Sequence, residues 1–253
     1  MRLSIVIPAY NEENRIKNTL DNYHNFFSKE FGKNFEIIVI VNGSGDKTQE
    51  VVKSLAFKYK QIKFKNFPDK IGKGGAIIEG FKIADGDFIG FVDADMATTP
   101  SAFYDLIRNL GNYDGIVASR WIRGAKIDRK QPLSRRIASR GFNIIVRLLF
   151  DIRIRDTQCG AKLFTKNAVK SVINDLGITQ WGFDVDLLYK LKKKNFKVNE
   201  IPTVWNDREG SKLKIGRTSW QMFLSVARLR LIYSRFRFIV NVYDKIHDYI
   251  YKK

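Results

Sequence analysis

The chain has 253 residues, 44% of them hydrophobic and 13% aromatic, and carries a formal net charge of +19. That length suits one α/β domain with an appendage, and that much apolar material excludes global disorder. A lone cysteine, Cys159, cannot form an internal disulfide and points to a reducing compartment, while only two histidines, His24 and His247, argue against a Ser-His-Asp hydrolase or a His-rich zinc site.

The first half alternates strand-like and helix-like stretches, the pattern of a mostly parallel sheet with flanking helices. Leu3–Pro8 is an apolar, β-branched run of strand length, too short for the core of a secretory leader. Asn11 stands where it could cap a helix opening at Glu12 and Glu13. Glu36–Val41 reads as a second strand, and Asp46 as the cap of a helix through Val51, Val52 and Leu55. Ile62–Phe64 is a short strand, Gly72-Lys73-Gly74-Gly75 opens a helix, and Asp87–Val92 is the next strand. A helix over Pro100–Leu110 and a strand over Gly115–Ser119 follow. Beyond residue 120 the pattern is irregular and basic, with helices expected over Leu133–Phe150 and Phe183–Lys194 and a strand over Val198–Val204. Residues 218–252 read as one or two amphipathic helices. The stretch Trp220–Val242 is interrupted by Arg228, Arg230, Arg235 and Arg237, so no membrane span is expected.

The charge is concentrated. Residues 120–155 carry net +9 and 205–253 carry net +7, together most of the +19. Such segments fit a polyanionic partner: phosphate groups, an anionic membrane surface, or nucleic acid. Carboxylates at a strand end would repel a nucleic-acid backbone, which leaves phosphates and a membrane as the expected partners.

In open α/β sheets ligands gather beyond the carboxyl ends of the strands. Ala9-Tyr10-Asn11-Glu12, Asn42-Gly43-Ser44-Gly45-Asp46, Gly72-Lys73-Gly74-Gly75 and Asp93-Ala94-Asp95 all fall at that edge. Polar side chains there can hydrogen-bond a base and ribose, and a lysine with free amides at a helix start suits a diphosphate. Two carboxylates one residue apart can hold Mg²⁺ or Mn²⁺, hard ions that bridge phosphate oxygens.

Ile5-Val6-Ile7-Pro8-Ala9-Tyr10-Asn11-Glu12-Glu13 resembles the opening of family 2 glycosyltransferases, which have a GT-A fold. The resemblance continues at Gly72–Ala76, Phe91–Asp95, Ala118–Arg120, Asp156–Phe164, Trp181–Asp186 and Gly210–Leu213. It is nearest to the enzymes that transfer sugars to polyprenyl or dolichyl phosphate, the β-glucosyltransferases in particular. The resemblance implies a metal-dependent transfer from a nucleotide sugar, UDP-glucose in that group, at the cytosolic face of a membrane, with GDP-mannose or another UDP-sugar as donor, or a non-lipid acceptor, as alternatives; a single in-line displacement would invert the anomeric centre.

It further implies that Pro8, Ala9, Tyr10, Asn11, Glu12, Asn42, Ser44, Lys73, Asp93, Ala94 and Asp95 bind the donor, with Asp93 and Asp95 as metal ligands. Arg208, Ser211 and Lys212 would close over the donor phosphates. The resemblance points to Arg120, Arg135 and Ser139 as contacts for the acceptor phosphate, and Arg136 and Arg140, four residues apart on the expected helix, could join them. Asp95 is expected to be catalytic at the metal, and Asp156 and Asp184 to orient or deprotonate the acceptor. The chain departs from the family where two aspartates are usual and Asn42 stands instead, and at Ala97, where some mannose synthases have a third metal ligand. Residues 1–217 form the expected catalytic domain, with 120–155 its acceptor-facing segment, and 218–253 the expected membrane-surface segment.

Overall fold

The computed structural model describes residues 1–127, 133–177, 182–206, 215–238 and 240, without the side chains of 133–135 and 215–219. The chain runs β1 (Leu3–Ala9), α1 (Ile16–Phe31), β2 (Phe35–Asn42), α2 (Thr48–Lys58), β3 (Ile62–Phe67), α3 (Gly72–Ile83), β4 (Phe88–Val92), α4 (Pro100–Arg108) and β5 (Gly115–Ser119). It continues through β6 (Lys126–Ile127), α5 (Leu133–Phe150), β7 (Ala161–Thr165), α6 (Lys166–Val172), α7 (Phe183–Lys193), β8 (Val198–Pro202), β9 (Val204–Trp205) and α8 (Ile215–Ile232). Seven strands form one sheet in the order β3-β2-β1-β4-β7-β5-β8, and β6 pairs with β9 in a small second sheet. Only β7 runs against its neighbours in the large sheet.

Central strands are buried on both faces, which is why they read as nearly continuous apolar runs. Along β1, Leu3, Ile5, Ile7 and Ala9 point into one core, shared with α1, α2 and α4. Val6 points into the other, where α3, α5, α6, α7 and α8 pack. Helix α3 lies close on β1 because residue 80 is glycine; a Cβ there would stand 2.3 Å from Val6 Cγ1. Sheet order and strand direction bring the carboxyl ends of β1, β2, β4 and β5 to one edge.

Several elements differ from the sequence-based expectation. Helix α1 starts at Ile16 without a side-chain cap, so Asn11 is not its cap. Asn11 instead adopts φ +54°, a left-handed conformation that asparagine tolerates. Strand β7 and helix α6 were not expected: Lys162 interrupts the otherwise apolar sequence of β7, and α6 is only seven residues long. The strand expected over Val198–Val204 is two strands, broken at Thr203. Helix α8 crosses the 217/218 boundary, and its Val226 and Leu229 are buried in the second core. Among the described residues no helix is long and apolar enough to cross a membrane.

Candidate active site at the carboxyl edge of the sheet

The loops after β1 and β2 are stitched together. The Asn42 amide donates to the Ala9 carbonyl at 3.1 Å, the Asn11 backbone N–H to Ser44 Oγ at 3.1 Å, and the Gly45 N–H to Asn11 Oδ1 at 2.9 Å. The Glu12 N–H donates to Thr48 Oγ1 at 2.8 Å. Asn42, Asn11 and Ser44 thus hold the loop frame, and Asn42 is buried within it. Tyr10 is exposed beside it, with the Lys70 ammonium 4.1 Å from its ring centroid.

Strand β4 delivers Asp93-Ala94-Asp95 to the middle of the edge. The Ala94 carbonyl accepts from Thr19 Oγ1 at 2.6 Å, and the Thr98 carbonyl from the buried Tyr23 hydroxyl at 3.0 Å, so α1 clamps this turn. Met96 takes φ +60°, which turns the chain so that the Ala97 N–H donates to Asp95 Oδ1 at 2.9 Å. Asp93 rests against Gly160, where a Cβ would lie 2.0 Å from Asp93 Oδ2. Lys73, in the first turn of α3, sits 2.5 Å from Asp93 Oδ1. Burial opposes its charge, yet Asp93, Asp184 and Asp95 hold its ammonium well above the usual lysine range. Burial and the Asp93 carboxylate raise Asp95 above the ordinary aspartate range. Burial also raises Glu12, helped by Asp95 and Asp93 and opposed by its bond to Arg15.

On the other side of β4, the chain leaves β5 at Arg120. Its Nε and Nη2 donate to Asp156 Oδ2 and Oδ1 at 2.8 and 2.9 Å, and its own backbone N–H donates to Oδ2 at 2.9 Å. The guanidinium lies 4.9 Å from the Trp205 ring centroid and 5.6 Å from that of Trp121, and Arg140 approaches Trp121 at 5.0 Å. Asp156 is fully buried, with both oxygens engaged. A carboxylate engaged by a bidentate arginine fixes the direction in which Arg120 points. The Asn143 carbonyl accepts from Thr157 N–H and Oγ1, both at 2.8 Å, and its amide donates to the Ser139 carbonyl, which bolts α5 to this loop. Arg136 Nε is buried without a hydrogen-bond partner. Cys159 is buried nearby, its thiol pushed up to about 12 by burial and Asp156, so it is inert.

Asp184 opens α7, and its Oδ1 accepts from the Lys162 ammonium at 2.6 Å. Asp186 points elsewhere, as helical spacing predicts, to Lys190 at 3.1 Å and the Tyr233 hydroxyl at 2.5 Å. Asp93 is the common neighbour at this edge, acting on Glu12 and Lys73 together with Asp95, and on Arg120 together with Asp156, while Asp184 also acts on Lys73. Arg208, Ser211 and Lys212, and the Arg135 side chain, lie outside the described residues. The resemblance over Asp156–Phe164 included Gly160 and Lys162 without giving either a role, and sequence reasoning missed the rings of Trp121 and Trp205 beside Arg120.

Among the described residues no group of three or more His, Cys, Asp or Glu side chains forms a cage for a metal ion. Two carboxylates one residue apart, Asp93 and Asp95, fit a divalent ion whose remaining ligands are phosphate oxygens and water. They do not fit an ion held by protein alone.

Residues 4–173 match Glycosyl transferase family 2. The chain is 34% identical over 255 residues to the dolichyl-phosphate beta-glucosyltransferase of Dictyostelium discoideum, covering 95% of this chain and 76% of that protein. It is 31% identical to glycosyltransferase AglD of Haloferax volcanii over 88% of this chain, and spans only 38% of that protein's length. Glucosyl-3-phosphoglycerate synthase from Mycobacterium tuberculosis, solved with Mn²⁺, uridine diphosphate and phosphoglyceric acid, superposes with a TM-score of 0.66 at 19% identity, over 89% of this chain and 77% of that one. That likeness carries the fold, the GT-A arrangement of a mostly parallel sheet between helices. With the family match and the extended identity to a dolichyl-phosphate beta-glucosyltransferase, this chain belongs to glycosyl transferase family 2.

Proposed function

We propose that the protein transfers a sugar, glucose from UDP-glucose, to the phosphate of a polyprenyl or dolichyl lipid at a membrane surface. The observation that carries this reading is the pair of cationic centres flanking β4. Lys73 stands on the β1–β2 side and Arg120 on the β5 side, both within electrostatic reach of Asp93. One suits a leaving diphosphate and the other an attacking phosphate. The names of the relatives in the dolichyl-phosphate group support the same assignment.

On the donor side, the stitched loops at Asn11, Asn42 and Ser44 frame the nucleotide, with Pro8 to Glu12 along its edge and Tyr10 exposed to meet it. Lys73 neutralises charge growing on the diphosphate, and the free amides at the start of α3 add their dipoles. A divalent ion, Mg²⁺ or Mn²⁺, held by Asp93 and Asp95 supplies further charge neutralisation at the leaving group when bound. On the acceptor side, Asp156 holds Arg120 through Nε and Nη2, and Arg136, Ser139 and Arg140 follow on α5 with Arg135. A phosphate monoester has a second pKa of about 6, so it arrives largely ionised at neutral pH. Its oxygen attacks the anomeric carbon in line, the bond to the diphosphate breaks, and the configuration inverts. Positioning of that oxygen matters more than removal of a proton.

The membrane contact falls to α5 and α8, with Arg208, Ser211 and Lys212 closing on the donor ahead of α8. The solvent-facing side of α5 carries Ile137, Arg140, Ile144, Arg147 and Leu148, and that of α8 carries Trp220, Phe223 and Leu224. Apolar side chains interleaved with arginines are the composition of a helix resting in the interface of anionic lipid.

A screen of radiolabelled nucleotide sugars against one polyprenyl phosphate, with the product lipid identified by mass, tests the reading. A glucosyl lipid phosphate formed from UDP-glucose is the expected product. Full activity with a soluble acceptor and none with the lipid would overturn it.

A further inference from the structure

Lys162 is the second residue of β7 and is completely buried. Its ammonium donates to Asp184 Oδ1 at 2.6 Å and to the Cys159 carbonyl at 2.7 Å, and stands 5.1 Å from the ring centroid of Phe91. The antiparallel register sets Lys162 directly opposite Phe91 on β4, two residues before Asp93. Gly160, two residues before Lys162, is the surface against which Asp93 rests. One short stretch thus supports Asp93 through its glycine and Asp184 through its lysine.

Removing an ammonium from water costs several kcal/mol, and well-packed apolar side chains often serve stability as well as a buried ion pair does. Stability alone therefore gives little reason for a lysine here. Helical hydrogen bonding fixes the Asp184 backbone in the first turn of α7 but leaves its carboxylate free to rotate. The bond to Lys162 removes that freedom, and the carboxylate so held lies within electrostatic reach of Lys73, the candidate diphosphate contact.

We propose that Lys162 is a positioning residue for sugar transfer. From beneath the sheet edge it holds the Asp184 carboxylate in the one orientation that serves the reacting groups, and it never touches substrate itself. This rests on the reading of the β4 edge as the transfer site. It assigns to Asp184 an orientation-dependent role and to Lys162 the task of fixing it.

The test compares Lys162→Met, Asp184→Asn and the double variant with the unaltered full chain, using UDP-glucose and a polyprenyl phosphate, with kcat and KM for both substrates and Tm for each protein. Lys162→Met is expected to lower kcat about tenfold or more while moving either KM less than about threefold, the split left by a misaligned group at intact binding sites. Asp184→Asn should lower kcat at least as far. The double variant, which removes both charges and so keeps the buried site neutral, should be no slower than Asp184→Asn alone, because Lys162 acts only through Asp184. Retention of kcat within twofold in Lys162→Met, an active Asp184→Asn, or additive losses in the double variant would each overturn the proposal. Should Lys162→Met fail to fold, the comparison of the double variant with Asp184→Asn still decides. An unaltered protein that transfers no sugar to the lipid would instead sink the proposed function, a separate outcome.

Discussion

At Asp95, burial and the adjoining Asp93 carboxylate both disfavour the charged state, so the fold carries a repulsion that helps no packing. Asp95→Ala is expected to lower transfer by about 100-fold or more, the scale of losing one well-placed electrostatic group, while Tm holds or rises. A variant that keeps its activity after treatment with a chelator would remove Asp95 from the metal assignment. Gly160 gives a complementary case. A methyl group at 160 must push Asp93 or the β7 backbone, since the new Cβ stands 2.0 Å from Asp93 Oδ2. Gly160→Ala should cost about 1–3 kcal/mol of stability, the usual penalty for overpacking, and displace the carboxylate that meets Lys73. Calorimetry of UDP binding reads the second effect: weakened binding is expected, and unchanged binding would show that β7 yields instead. The candidate residues on loops at strand ends were visible in the sequence because short polar motifs follow apolar runs. The contacts of Lys162 with Asp184 and of Trp205 with Arg120 were not, because those partners lie far apart in sequence and no local pattern encodes such a contact.

At the scale of elements, α5 joins the acceptor loop to the proposed membrane face. Phe142, Val146 and Phe150 are buried inward and Asn143 grips Thr157, while Ile144 and Leu148 point out at 55% and 79% exposure. Inward and outward residues recur at helical spacing, which is why the span Leu133–Phe150 could be read from the sequence. Strand β7 and helix α6 could not. A strand running against its neighbours, with a lysine as its second residue, matches neither an alternating nor a continuous apolar pattern. Because Ile144 and Leu148 carry little packing, the double variant Ile144→Glu, Leu148→Glu should keep its Tm and lose much of its flotation with vesicles containing anionic lipid. Undiminished flotation would take the membrane contact away from α5.

For the whole molecule, stability at low pH depends on carboxylates held below their ordinary range. Burial works against the charge of Glu36, but the ammonium of Lys63, the Ser4 hydroxyl and the Asp85 N–H outweigh it and lower its pKa from 4.5. Asp46 is lowered as well, burial being outweighed by its bonds from Thr48 and Glu13. A folded-state pKa below the unfolded one contributes stability that is present above the unfolded value and lost as pH falls through the folded one. Tm should therefore be level near neutrality and fall progressively below about pH 4.5; a Tm independent of pH down to 3 would contradict this. The two halves of the site also differ in how they are built. On the donor side, Asn42, Asn11, Ser44 and Thr48 already join the β1 and β2 loops in the free protein, so the ordering entropy of that pocket is spent during folding. A nucleotide can then dock before any lipid arrives, and the reaction acquires an order: donor on first, nucleoside diphosphate off last. In steady-state kinetics UDP should compete with the nucleotide sugar and inhibit non-competitively against the lipid, which makes the loop frame visible as a pattern of intersecting lines.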